Sequence, residues 1–130
     1  MAATNPTFVT TPTIGSAAIS TANANRDGTG TLATVFTAGA SGAVLEAISI
    51  TADGTTTAGV IRIFAEDGAG LRLIDEVTVL PITPNVTDIQ KVFHVVWKPP
   101  FHFLVKATET IQVSTHNAET FYVVGVGGDF

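Results

Sequence analysis

The sequence predicts an all-β fold: an eight-stranded antiparallel jelly-roll β-sandwich with an extended N-terminal arm. Three observations carry this. Segments rich in Val, Ile, Thr and Phe recur at the short spacing of a sandwich or barrel. The turn dipeptides Asp27-Gly28, Asp53-Gly54 and Asp67-Gly68 punctuate them, since Gly accepts positive φ and Asp bonds nearby amides. Only 13% of the chain is Asp, Glu, Lys or Arg, against roughly 25% in ordinary soluble domains. Its surface is therefore expected to be neutral, threonine-rich or covered by something else.

The first element is the least strand-like. Residues 1–28 consist largely of Thr, Ala, Asn, Ser and Pro, with Phe8, Val9, Ile14 and Ile19 as the only sizeable apolar anchors. We read 1–28 as an extended arm or first strand (13–20), ahead of a jelly-roll domain at 29–130. Pro6 and Pro12 favour extended backbone before them and suit an edge or arm better than a central strand. An arm lying on a neighbouring subunit and an ordinary strand with a frayed end both fit this segment.

Seven further strands follow, at 31–37, 43–51, 60–66, 71–80, 91–97, 110–115 and 120–126. Strand side chains alternate between faces. Over 60–66 this turns Ile61, Ile63 and Ala65 inward, and Arg62, Phe64 and Glu66 outward. Over 71–80 Leu71, Leu73, Val77 and Val79 form the inner row, which Asp75 interrupts; a bulge or strand end there would resolve the conflict. Over 43–51 the apolar set Val44, Ile48 and Ile50 is broken by Glu46. The two prolines of 80–88 mark a crossover loop, and Pro99-Pro100 stops one strand before Phe101 begins another extended piece.

Strands 91–97 and 120–126 are apolar on both faces, apart from His94 and the Tyr122 hydroxyl. A monomeric sandwich normally shows one face of each sheet to water, so a subunit interface is the simplest cover. Loops or the arm are the alternative. The expected assembly contacts are Phe8, Val9, Phe93, Val95, Trp97, Phe121, Val123 and Phe130. Phe130 follows Gly127-Gly128-Asp129, and it either anchors in a neighbour or folds back to plug its own sandwich.

Catalytic chemistry finds no foothold. The chain has no cysteine, which excludes disulfides, thiolate metal sites and cysteine nucleophiles. A chain of this length buries about two-thirds of its unfolded surface and needs no such staples. His94, His102 and His116 lie on three segments without metal-ligand spacing; His94 reads as a hydrogen-bonded core or interface residue. Glu66-Asp67 and Asp75-Glu76 are adjacent pairs whose members point to opposite faces, unlike a converging acid and base. Asp53, Asp67 and Asp129 show no calcium-loop spacing, and no serine sits in a Gly-x-Ser-x-Gly elbow. Asn85-Val86-Thr87 matches a glycosylation acceptor, but no secretory signal accompanies it. No enzyme, cofactor or metal is expected.

The formal charge is −5, with Arg26, Arg62, Arg72, Lys91, Lys98 and Lys106 scattered along the chain, so no nucleic-acid stripe forms. Mean hydropathy is +0.40, yet no apolar run approaches the roughly 18 residues of a membrane helix.

Three segments carry a resemblance: Thr37-Ala38-Gly39-Ala40-Ser41-Gly42, Thr57-Ala58-Gly59-Val60-Ile61-Arg62-Ile63-Phe64, and the ending Val123-Val124-Gly125-Val126-Gly127-Gly128-Asp129-Phe130. Together they resemble small jelly-roll head decoration, or capsid cement, proteins of tailed bacteriophages. The resemblance spans most of the chain after Thr29. It implies a homo-oligomer, often a trimer, made in the host cytoplasm and bound to the major capsid protein on the virion exterior, where it braces the shell. It brings no catalytic residues. The alternative expectation is a carbohydrate- or receptor-binding β-sandwich module of a virion or tail, with Trp97 and Tyr122 as stacking platforms. A cupin-like enzyme is a third, and would require bound metal.

Overall fold

The computed structural model describes residues 9–87, 89–101 and 103–130. Among the described residues there are nine strands and no helix: β1 (Thr11–Ile19), β2 (Ala33–Thr37), β3 (Ala43–Ala52), β4 (Gly59–Glu66), β5 (Leu71–Val79), β6 (His94–Trp97), β7 (Phe103–Val105), β8 (Thr110–Thr115) and β9 (Phe121–Asp129). They form two antiparallel sheets packed as a sandwich. One runs β1-β9-β3-β6, with β7 also on β3; the other runs β2-β8-β4-β5. The all-β, two-sheet reading of the sequence stands. The strand beyond the expected eight is β7, within the extended piece expected after Pro100.

β6 and β7 lie one after the other along the same side of β3. β6 pairs with Ile48 to Thr51, and β7 with Ala43 to Leu45. Pro99 and Pro100 separate them, because proline offers no N–H to the ladder. Beside this gap β3 is itself irregular: its register on β9 shifts between Leu45 and Ala47. Glu46 is thus the extra residue of a bulge. The bulge explains the broken alternation, since the inner face of β3 is Ala43 and Leu45 before it and Ile48, Ile50 and Ala52 after it. Val44 is therefore not in one row with Ile48 and Ile50.

The interruption at Asp75 has the same cause. β5 shifts register on β4 so that Asp75 pairs with Ile63 and Leu73 with Phe64, leaving Ile74 as the extra residue. Ile74 and Val77 pack against the core. Leu73 and Leu71, opposite Phe64 and Glu66, move to the outer face, a correction to the single inner row read from alternation.

The core lies between the sheets. Ile61, Ile63, Ile111 and Val113 of the four-stranded sheet meet Ile48, Ile50, Phe121 and Val123 of the other. Phe93 closes one end, edge-on to Phe121 with ring centroids 6.5 Å apart. The sheets lie close together where Gly15 and Gly125, cross-strand partners in β1 and β9, face the backbone of Val35. A Cβ on Gly125 would lie 2.6 Å from the Val35 carbonyl oxygen, so side chains at this point would force the sheets apart. Among the described residues no helix is long and apolar enough to cross a membrane.

β1 pairs with β9 over its whole length, from Thr11 opposite Asp129 to Ile19 opposite Phe121. Residues 11–19 are thus a full member of the sheet. Phe8, within the expected arm, lies outside the described residues.

Candidate functional site

The outer face of the five-stranded sheet follows from cross-strand register, because directly paired residues share a face. Ala18, Tyr122, Thr51 and His94 form one rung; Ser16, Val124, Ser49 and Val96 the next. Ile14, Val126 and Ala47 continue the pattern, followed by Pro12, Gly128, Val44 and Leu104. No Asp, Glu, Lys or Arg occurs in these four rungs. Ile14 is 73% exposed, Leu104 58%, and Val96 and Tyr122 48% each. His94 shares its ring Nδ1 with the Thr51 hydroxyl at 2.8 Å. The face is thus uncharged but mixed, with the hydroxyls of Ser16, Ser49 and Thr51 among its apolar side chains.

The four-stranded sheet treats its outer face differently. Arg62 does point outward, as alternation requires, yet it is only 1% exposed. Its Nε donates to Glu76 at 2.8 Å, Nη1 to the Asn23 carbonyl at 2.9 Å and Nη2 to His116 Nδ1 at 3.1 Å. A buried guanidinium is tolerable only when paired and hydrogen-bonded in this way. Its cover is the loop of residues 20–32. Asn23 holds that loop to β8 through its N–H on the Thr115 carbonyl, 2.8 Å. Arg26 reaches Glu76 at 2.9 Å. Gly28, at φ 85°, lies so close to Leu71 that a Cβ would sit 2.9 Å from it. The Asn23 amide knits the loop internally by donating to the carbonyls of Thr29 and Thr31. The hydrogen bond from Arg26, more than any other influence, holds the Glu76 carboxyl below its ordinary value of 4.5, with Arg62 adding to the effect against partial desolvation. The outward direction read for Arg62 holds, but it does not expose the residue, which is roofed by the chain's own loop.

The expected contact residues divide by alternation. Phe93, Phe121 and Val123 are buried in the core, and Val95 and Trp97 face inward on β6, packed against it. Their neighbours His94, Val96, Tyr122 and Val124 are the ones that line the outer face. Val9 is exposed and lies over Gly128. Phe130 is half-buried on its own sandwich: its N–H donates to the Gly42 carbonyl at 3.1 Å, and Asp129 accepts the Gly39 N–H at 3.0 Å. Gly127 and Gly128 belong to β9 rather than to a free tail. Trp97 and Tyr122 lie on opposite faces of one sheet, paired with Ile48 and Thr51 respectively, so they form no common platform.

A second apolar feature was not legible from the sequence. Asn85 and Gln90 exchange backbone hydrogen bonds at 2.9 and 2.7 Å, closing a tight tip from which Val86 and Ile89 project almost fully exposed. Ile89 holds φ 55°, an outlier for a β-branched residue.

The candidate acids are engaged separately. Glu66 accepts the Thr110 N–H and hydroxyl, Asp67 pairs with Arg72 at 3.0 Å, Asp53 accepts the Tyr122 hydroxyl and Asp75 accepts from Trp97. Among the described residues no three His, Cys, Asp or Glu side chains gather as a metal site; His102 lies outside them. No protein-family model matches the chain, and no curated protein or solved structure matches it either.

Proposed function

We propose that this chain is a structural, non-enzymatic jelly-roll protein that associates with copies of itself, as a trimer in the simplest case, and decorates the outside of a tailed-phage head. The observation that carries the assembly reading is the outer face of the five-stranded sheet, whose four rungs of paired residues hold no charged side chain beside the bulged Glu46. The jelly-roll reading is supported by the strand order. With β6 and β7 counted as one interrupted strand, the orders β1-β9-β3-β6 and β2-β8-β4-β5 are those of two Greek keys wrapped across two sheets. The capsid setting rests on the resemblance of the three segments beginning at Thr37, Thr57 and Val123 to decoration proteins.

In this reading, copies bury the rungs around Val96 and Val124 against one another. Apolar projections such as Val86 and Ile89 remain available to the major capsid protein. Each contact is small, but many copies on one particle hold firmly, because repeated attachment acts at high effective concentration. The protein would be made in the host cytoplasm and end on the virion exterior.

Two measurements test this. Sedimentation equilibrium of the purified chain is expected to give a discrete oligomer, and a monomer at high concentration would remove the assembly reading. Cryo-microscopy of phage particles produced alongside the chain is expected to show extra density on the outer shell; particles without it would remove the decoration reading.

A further inference from the structure

At the open side of the sandwich, β6 of one sheet faces β5 of the other across a notch. Ile74, Asp75, Trp97, Pro100, Phe101 and Phe103 line it, around a cavity of about 230 Å³. Two backbone irregularities build it. The bulge at Ile74 turns Asp75 toward the gap between the sheets, and Pro99-Pro100 ends β6 so that the chain loops outward at Phe101. Phe101 is 65% exposed and stacks on Phe103 with centroids 5.6 Å apart and planes at 28°. Trp97 Nε1 donates to Asp75 Oδ2 at 2.6 Å, and the Glu76 N–H donates to Asp75 Oδ1 at 2.8 Å.

The Trp97 bond pins the two sheets together, yet it does not exhaust the carboxylate. An ionised carboxylate offers about four acceptor positions, and two are used. Among the described residues no cation pairs with Asp75. Among the described residues Asp75 is the only charged group lining the notch, whereas Glu46 and Lys98 line the neighbouring groove on the far side of Phe101. An apolar, aromatic recess with one exposed carboxylate matches a ligand with a long apolar stem and one positive head. It does not match a sugar, whose many hydroxyls need several converging polar partners.

We propose that this notch binds a single arginine or lysine side chain of a partner protein, its stem against Phe101 and Trp97 and its cationic head on Asp75. The site is independent of how copies of the chain associate, because Trp97 faces inward, away from the outer face of its sheet.

Trp97 is the only tryptophan in the chain, so its emission reports this notch alone. The intact protein is titrated with a capped Gly-Arg-Gly peptide and its Lys, Gln and Glu counterparts, and with a methyl glucoside. A saturable emission change is expected for the Arg and Lys peptides, weakening as salt rises. Asp75→Asn keeps an acceptor for Trp97 but removes the charge, and is expected to weaken binding about tenfold or more, as loss of a charge-assisted contact does. Phe101→Ala, in an exposed loop, is expected to weaken it several-fold without touching the core. An equal response to the Gln peptide, a response only to the glucoside, unchanged affinity in Asp75→Asn, or no saturable response to either cation would each overturn the proposal.

Discussion

The two outer faces of this sandwich solve one problem in opposite ways. On the four-stranded sheet, residues 20–32 roof Arg62 and close on Leu71, and a buried guanidinium is matched to Glu76, the Asn23 carbonyl and His116. On the five-stranded sheet Val9 lies over Gly128 and Val44 is buried, but Ile14, Val96, Leu104 and Tyr122 meet solvent. The chain thus places an ion pair where its own loop covers the sheet. The uncharged face is the one left to solvent, while the charged one need not be solvated at all.

Substitutions can break this contrast. Arg62→Ala is expected to have the largest effect, a loss of about 3 kcal/mol in urea unfolding, because it strands the partners of a buried charge under the roof. Gly125→Ala tests whether the sheets are as close as they stand; crowding the Val35 carbonyl is expected to cost about 2 kcal/mol by the same assay. A third experiment concerns acid. The Glu76 carboxyl lies below its ordinary value of 4.5 in the folded chain, so its contribution is fully present above that value. It is lost as pH falls through the folded value. Unfolding midpoints of the native chain and Glu76→Gln should differ by a constant amount at neutral pH and converge in acid; a difference that grows on acidification would contradict the clasp. The smallest effect on stability sharpens the other face. Ile14→Lys and Val96→Lys are expected to change unfolding free energy by no more than about 0.5 kcal/mol while dissociating the proposed oligomer in sedimentation.

Much of this contrast was legible in the sequence, and its errors are physical. Period-two alternation located the strands and turned Ile61 and Ile63 inward correctly, because both lie in unbroken ladder. Asp75 in an apolar row correctly signalled a bulge. Its position, at Ile74, depends on the partner strand, and so the outward turn of Leu71 and Leu73 was missed. Glu46 carried the same signal. The two-faced strands 91–97 and 120–126 fell in one sheet, as β6 and β9 on either side of β3. The residues chosen as contacts were mostly those on the inner side of the alternation: Phe93, Phe121 and Val123 are inside, while their neighbours His94, Val96, Tyr122 and Val124 line the outer face. No local pattern could reveal that Arg62 is buried, since its cover comes from residues about 40 positions away in the chain.

The four edges of the two sheets share a property that bears on a different hazard. β1 carries Pro12, β2 bulges at Val35, β5 bulges at Ile74, and β6 is cut from β7 by Pro99-Pro100. An uninterrupted edge strand would offer its free amides and carbonyls as a template for another chain. A sequence so rich in strand formers and so short of charge is the kind that nucleates cross-β fibrils. Here each margin where a foreign strand would dock is kinked or lacks a donor. Growth by edge addition is thereby discouraged, and the sticky surface that remains is a broad sheet face, which favours closed assemblies of defined size over open-ended ones.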